Sequence, residues 1–300
     1  MKIAYKDWNP NEQSQSLVYG AEQILEEYRI QGYVMTLRQL YYQFVARDII
    51  PNTERSYKNL GNLITKARMA GMISWQAIED AGRGLIAPGT EEDLRHLIKR
   101  AMNTINYDRW ARQDHYVEVW VEKQALGNVI EKACEDTDTP YLACKGYLSA
   151  SEAWRAGRRL RARRSQGQQP VVIHLGDHDP SGIDMTRDNE DRLSMFSEQG
   201  VIIERIALNM DQIEQYGPPP NPTKLSDTRA NDYIDLYGHD SWELDALEPS
   251  VIEELIRDQI EIHIDRDVWE ETDEEEAEAK ALMGNLHDRW EDVVEFLSDD

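Results

Sequence analysis

The chain is predicted to be an α/β protein with a helical N-terminal part followed by a mainly parallel sheet flanked by helices. Three observations carry this. Strand-like runs at Tyr116–Val121, Tyr141–Cys144 and Val171–Leu175 alternate with helical runs at Gln124–Cys134, Ser149–Arg164 and Ile183–Phe196. Right-handed crossovers lay such units down as parallel neighbours. The run into Gly176 is apolar or β-favouring at nearly every position, as a strand covered on both faces requires. The residues before 70 instead repeat their apolar side chains with a helical period.

In the N-terminal part, Ser16–Arg29 places Leu17, Ala21, Ile24 and Leu25 on one stripe. Thr36-Leu-Arg-Gln39 has the form of a capping box and opens a helix over Leu37–Arg47. Leu37, Leu40, Tyr41, Phe44 and Val45 form its core stripe. Arg38 and Tyr42 fall outside that stripe, four residues apart on one adjoining face. A phenol titrates near pH 10, so Tyr42 becomes a useful nucleophile only if a cation such as Arg38, or an accepting base, assists it. On spacing alone an amphipathic surface tyrosine fits as well. A third helix over 52–70 carries Arg55, Lys58, Lys66 and Arg68, and Gly71–Ile78 reads as a short extended hairpin. Three helices and a hairpin describe a winged helix-turn-helix, with Lys66 and Arg68 placed for DNA phosphates. The same charges also suit a solvated helix face.

In the second part, the strand at 171–175 ends in Gly-Asp177-His-Asp179-Pro-Ser-Gly182 and the strand at 116–121 ends in Glu122-Lys123. Parallel strands bring Glu122, Asp177 and Asp179 to one sheet edge, where ligands of open α/β sheets collect. Three carboxylates there suit Mg²⁺, which takes oxygen ligands together with substrate phosphate. Asp, Pro, Ser and Gly are also ordinary turn residues, so Asp-x-Asp alone is compatible with a solvated turn. The helix over 151–164 carries Arg155, Arg158 and Arg159 among six arginines, the best basic patch for a DNA backbone.

The two cysteines exclude a disulfide framework or a zinc cluster and fit a reducing cytoplasm. No membrane span or secretory leader is read, and no nucleotide-binding loop. The net charge of −24 is concentrated at the end: residues 1–110 carry 14 Lys/Arg against 13 Asp/Glu, and residues 240–300 carry 4 against 23. The earlier two-thirds therefore remain able to meet phosphate.

Thr36-Leu-Arg-Gln-Leu-Tyr-Tyr42, Val121-Glu-Lys123 and Asp177-x-Asp-Pro-x-Gly182 together resemble the topoisomerase VI A subunit and the homologous meiotic double-strand-break protein, in which a winged helix with the active-site tyrosine precedes a Toprim domain. The resemblance spans roughly residues 15–265 by element order. It implies domains over 1–112 (winged helix) and 113–265 (Toprim), leaving 266–300 as an acidic helical or disordered tail. It further implies Tyr42 as nucleophile with Arg38 beside it, Glu122, Asp177 and Asp179 around Mg²⁺, and Glu122 alternatively as general acid/base. Trp242-Glu-Leu-Asp-Ala-Leu247 resembles a segment late in that Toprim domain, so Glu243 or Asp245 is expected to approach the metal. Double-stranded DNA as substrate, a homodimer pairing one protomer's tyrosine with its partner's metal site, a separate ATPase subunit for strand passage, and a cytoplasmic, nucleoid-associated location in a prokaryote follow as expectations. A Toprim nuclease using metal-activated water and a non-catalytic DNA-binding adaptor are the alternatives.

Overall fold

The computed structural model describes residues 2–79, 93–198 and 200–298. The chain forms two compact units, one of Met1–Arg83 with Val117–Ile262, the other of Gly84–Tyr116 with His263–Asp300.

The first unit begins with α1 (Glu12–Ile30), whose start is capped by Asn11 accepting from the Ser14 N–H at 2.9 Å. Strand β1 (Met35–Thr36) leads into α2 (Leu37–Ala46) through the expected capping box. The Thr36 hydroxyl accepts from the Gln39 N–H, and the Gln39 side chain accepts from the Thr36 N–H at 2.8 Å. Helix α3 (Glu54–Met69) closes the trio, and Leu40, Phe44, Ile24, Leu60 and Ile64 form its core. Each such apolar side chain contributes about 1.5–3 kcal/mol on burial. The expected hairpin over 71–78 is corrected. Ser74 instead opens a single 3₁₀ turn over Trp75–Ala77, and β2 (Ile78–Glu79) returns parallel to β1, with Met35 opposite Ile78. Arg68 holds this turn, donating to the Trp75 carbonyl at 2.7 Å with its guanidinium 4.8 Å from the indole centroid.

After α4 (Leu94–Thr104), a member of the second unit, the alternation runs β3 (His115–Val121), α5 (Gly127–Glu135), β4 (Tyr141–Ala143), α6 (Ala150–Ser165), β5 (Gln169–Leu175), α7 (Pro180–Phe196) and β6 (Ile202–Ala207). The sheet order is β4-β3-β5-β6, with β3/β4 and β5/β6 parallel. Strands β3 and β5 are buried beyond their first residues, the reason their sequences read as nearly continuous apolar runs. Then come α8 (Met210–Tyr216), the antiparallel pair β7 (Asn221–Pro222) and β8 (Asp240–Ser241) around α9 (Ala230–Tyr237), a 3₁₀ turn at Leu244–Ala246, and α10 (Pro249–Glu261). Helix α10 packs on α5, and α2 packs on the turn at 244–246.

In the second unit, α4 packs on α11 (Arg266–Asp288), which is followed by α12 (Trp290–Ser298). The acidic run Glu270–Glu278 is helical and held by its own partners. Arg109 reaches Asp273 at 2.5 Å, Arg112 grips Glu275 with two bonds of 2.8 Å, and Trp110 meets Trp269 edge-on. Residues 94–112 therefore belong with 266–298 and not with the N-terminal helices, which moves the boundaries expected at 112 and 265. Among the described residues no helix is long and apolar enough to cross a membrane.

Candidate functional site

Strand β5 delivers Gly176 and Asp177 to the carboxyl edge of the sheet, and α7 starts immediately beyond. Asp179 is the N-cap of α7: its Oδ1 accepts from the Gly182 N–H at 2.7 Å and from the Ser181 hydroxyl at 2.8 Å. Glu122, at the end of β3, accepts from the Asp177 N–H at 2.9 Å. The approach is close enough to demand glycine at 182 and to crowd any side chain at 176. A Cβ at Gly182 would lie 2.2 Å from the Asp177 carbonyl oxygen, and one at Gly176 would lie 3.0 Å from Glu122 Oε2. Beneath the loop, the part-buried Arg205 of β6 donates to the carbonyls of Gly176, Asp177, Gly182 and Leu208 at 2.8–3.1 Å.

A second segment is fastened to this loop by paired backbone bonds between His178 and Trp242, at 2.8 and 2.9 Å. That bridge sets Glu243 and Asp245 opposite Asp177, whose Oδ1 also accepts from the Leu244 N–H at 2.7 Å. One carboxylate oxygen each from Asp177, Glu243 and Asp245 lies within 4.8 Å of the others, and the three could hold a metal ion. Of the expected trio, Asp177 belongs to this group together with Glu243 and Asp245, while one oxygen each of Glu122 and Asp179 accepts from fixed N–H and hydroxyl donors of the loop.

The Lys123 ammonium reaches all three of these acids, at 2.8 Å from Asp177, 2.6 Å from Glu243 and 2.7 Å from Asp245. From α2, Arg38 pairs with Glu243 and brings Nε to 3.1 Å from Asp245 Oδ2. That oxygen is buried and has no hydrogen-bond partner. The Asp177 carboxyl is pushed up to about 7, by burial first and then by Glu122, Asp245 and Glu243 acting against Lys123. Glu243 goes the other way: burial would raise it, but Lys123 and Arg38 hold it down to about 2. Three converging carboxylates, one with a buried oxygen that makes no hydrogen bond, form a donor set that an oxygen-seeking divalent ion fits.

Tyr42 shares a face with Arg38 as its spacing implied, the guanidinium lying 5.8 Å from the ring centroid. It does not point to solvent. Only 4% exposed, it is covered because α2 presents this second face to the turn at 244–246. Burial, and after it Glu243 and Asp245, push the phenol well above its usual range, against Arg38 and Lys123. One edge still borders a cavity of about 430 Å³ lined also by Arg38, Tyr57, Asn221, Lys224 and Glu243. A neighbouring cavity of about 410 Å³, reaching Asp179 and Ser181, shares Asn221, Lys224 and Glu243 with it. The two adjoin as one crevice bordered by Glu243, the member of the acid cluster that reaches it.

The expected DNA-contacting residues fall into two groups. Lys66 is exposed on α3, Arg155 is exposed with Glu152 at 3.2 Å, and Arg158 lies over Trp154. Arg68 is committed to Trp75, and Arg159 grips the buried Glu118 through two bonds of 2.7 and 2.9 Å. Lys123 and Arg205 went unassigned from sequence, although a cation at a strand end beside Glu122, and another inside the apolar run 202–207, were the available signals. No family model matches this chain, and no curated protein matches it in sequence.

Proposed function

We propose that the crevice cleaves a DNA phosphodiester by transesterification to Tyr42, in the manner of a type IIB topoisomerase, with residues 12–79 acting as a winged-helix DNA-binding module and residues 117–262 as a Toprim module. The observation that carries this reading is that Tyr42, Arg38 and Glu243 border one crevice, with Asp177 and Asp245 buried behind Glu243 in the same carboxylate cluster. Asp177, Glu243 and Asp245 would hold Mg²⁺, which supplies charge stabilisation to the phosphate under attack. Arg38, ion-paired to Glu243 and Asp245, lies beside the phenol ring and adds positive charge to that end of the crevice. The Tyr42 oxygen bonds to phosphorus while the P–O3′ bond breaks. The phenolic proton passes to solvent in the crevice, and the departing 3′ oxygen takes up a proton from the same solvent, so no net proton is consumed. One phosphodiester replaces another, so resealing needs no external energy.

Purified protein incubated with supercoiled DNA and Mg²⁺, then quenched with detergent, tests this. Cut DNA is expected to carry covalently bound protein, and Tyr42→Phe is expected to abolish both cutting and adduct. Free cut ends that persist in Tyr42→Phe would instead identify hydrolysis by metal-activated water, the reading favoured by the burial and raised titration of Tyr42. A plasmid that is bound but intact would identify a DNA-binding adaptor.

A further inference from the structure

A polynucleotide entering the crevice must be held by a positive charge that the protein has not already spent. The carboxylates along it are mostly engaged. Glu54 lies 2.6 Å from Lys58, Asp227 lies 2.8 Å from Arg229, and Glu243 is shared by Arg38 and Lys123. The Arg38 guanidinium is likewise committed to Glu243 and Asp245. Lys224 differs. It borders both halves of the crevice, is exposed, and among the described residues no carboxylate lies within ion-pairing distance of its ammonium.

Its backbone, by contrast, is fixed. The Thr223 N–H donates to the His239 carbonyl at 2.9 Å and the Lys224 carbonyl accepts from the Asp227 N–H at 3.0 Å. Asn221 pairs with Ser241 across β7 and β8 and accepts from the Asn52 side chain at 2.7 Å. This lysine is an unspent charge on an anchored segment, at the junction of two cavities that both border Glu243.

We propose that Lys224 is the phosphate anchor of the crevice, gripping a phosphodiester next to the reacting one on a single strand laid from Tyr57 toward Ser181. Each cavity is of a size that encloses a small-molecule-sized group, so one strand fits along the pair. The identity of the polyanion as DNA rests on the proposed function; the anchoring role itself does not require the tyrosine chemistry.

The test is fluorescence anisotropy of an end-labelled single-stranded oligonucleotide with the full chain, without divalent metal so that nothing is cut, across a salt series. Lys224→Gln is expected to bind roughly tenfold more weakly, with the dependence of log K on log salt shallower by about 0.7. Lys224→Arg should retain wild-type binding, as should Lys6→Gln, which removes an exposed lysine that does not line the crevice. Wild-type affinity and salt slope in Lys224→Gln, or an equal loss in Lys6→Gln, would overturn the assignment. Loss of binding in Lys224→Gln in a protein that forms no covalent adduct would uphold the anchor while removing the nucleophile. An adduct-forming protein whose Lys224→Gln variant binds normally would do the reverse.

Discussion

Two sets of carboxylates stand at the same edge of the sheet and have opposite fates. Glu122 and Asp179 face backbone N–H groups and a neighbouring hydroxyl, and hold the loop after β5 in shape. Asp177, Glu243 and Asp245 face Lys123 and Arg38. Donors that belong to the backbone cannot be exchanged, but an ammonium on a flexible stem can be displaced by a metal ion. Asp177 shares one backbone donor, the Leu244 N–H, with the first pattern, so what separates the second set is that each of its acids also meets an exchangeable cation.

The largest effect is expected where the exchangeable cation is removed. Lys123→Met leaves three buried acids with Arg38 alone, and breaking such a pairing costs about 3–5 kcal/mol. Urea unfolding without metal should show this loss, and millimolar Mg²⁺ should restore a large part of it. If Mg²⁺ stabilises the variant no more than it stabilises wild type, the three acids do not form the metal seat.

A smaller effect separates burial from ion pairing on the same strand. His174 of β5 is buried, with Nδ1 2.9 Å from the Thr186 hydroxyl. Burial, and then Arg205, lowers its titration to about 3. Its folded value lies below the unfolded one of about 6.5, so below that pH the unfolded chain binds the extra proton. The stability this histidine contributes is complete above about 6.5 and declines as pH falls toward 3, by roughly 1.4 kcal/mol per pH unit. The difference in urea stability between wild type and His174→Asn, followed from pH 7.5 to 5, should show that slope; a flat difference would mean the imidazole titrates alike in the folded and unfolded chain.

The smallest change should come from the committed set. Glu122→Gln keeps an acceptor for the Asp177 N–H and should cost about 1 kcal/mol, while stabilisation by Mg²⁺ persists. Its disappearance in Glu122→Gln would return Glu122 to the metal and erase the distinction between the two sets.

Much of this was legible in the residues. The capping box at Thr36, the apolar run of β5 and the strand–helix alternation are local signals, and each element lies close to where its pattern put it. The pairing of Arg38 with the Tyr42 ring was equally local, a matter of one helical turn. The return of residues 71–79 was misread because hairpin and parallel return share the same short extended composition, and the 3₁₀ turn capped by Ser74 decides between them. Residues 94–112 were misplaced because their partners, α11 and its acids, lie more than 150 positions away.

By itself, the sequence determined which segments form helices and strands, that acids cluster after β3 and β5, and that Arg38 and Tyr42 share a face. These follow from periodicity and from geometry within a few residues. Which acids face a cation and which face the backbone, and that Tyr42 is covered, were decided only by tertiary structure. The His178–Trp242 bridge imports Glu243 and Asp245 from 65 or more positions downstream of Asp177, and the turn they flank packs over α2. Contacts made across such distances depend on how the elements dock, and no local pattern encodes that.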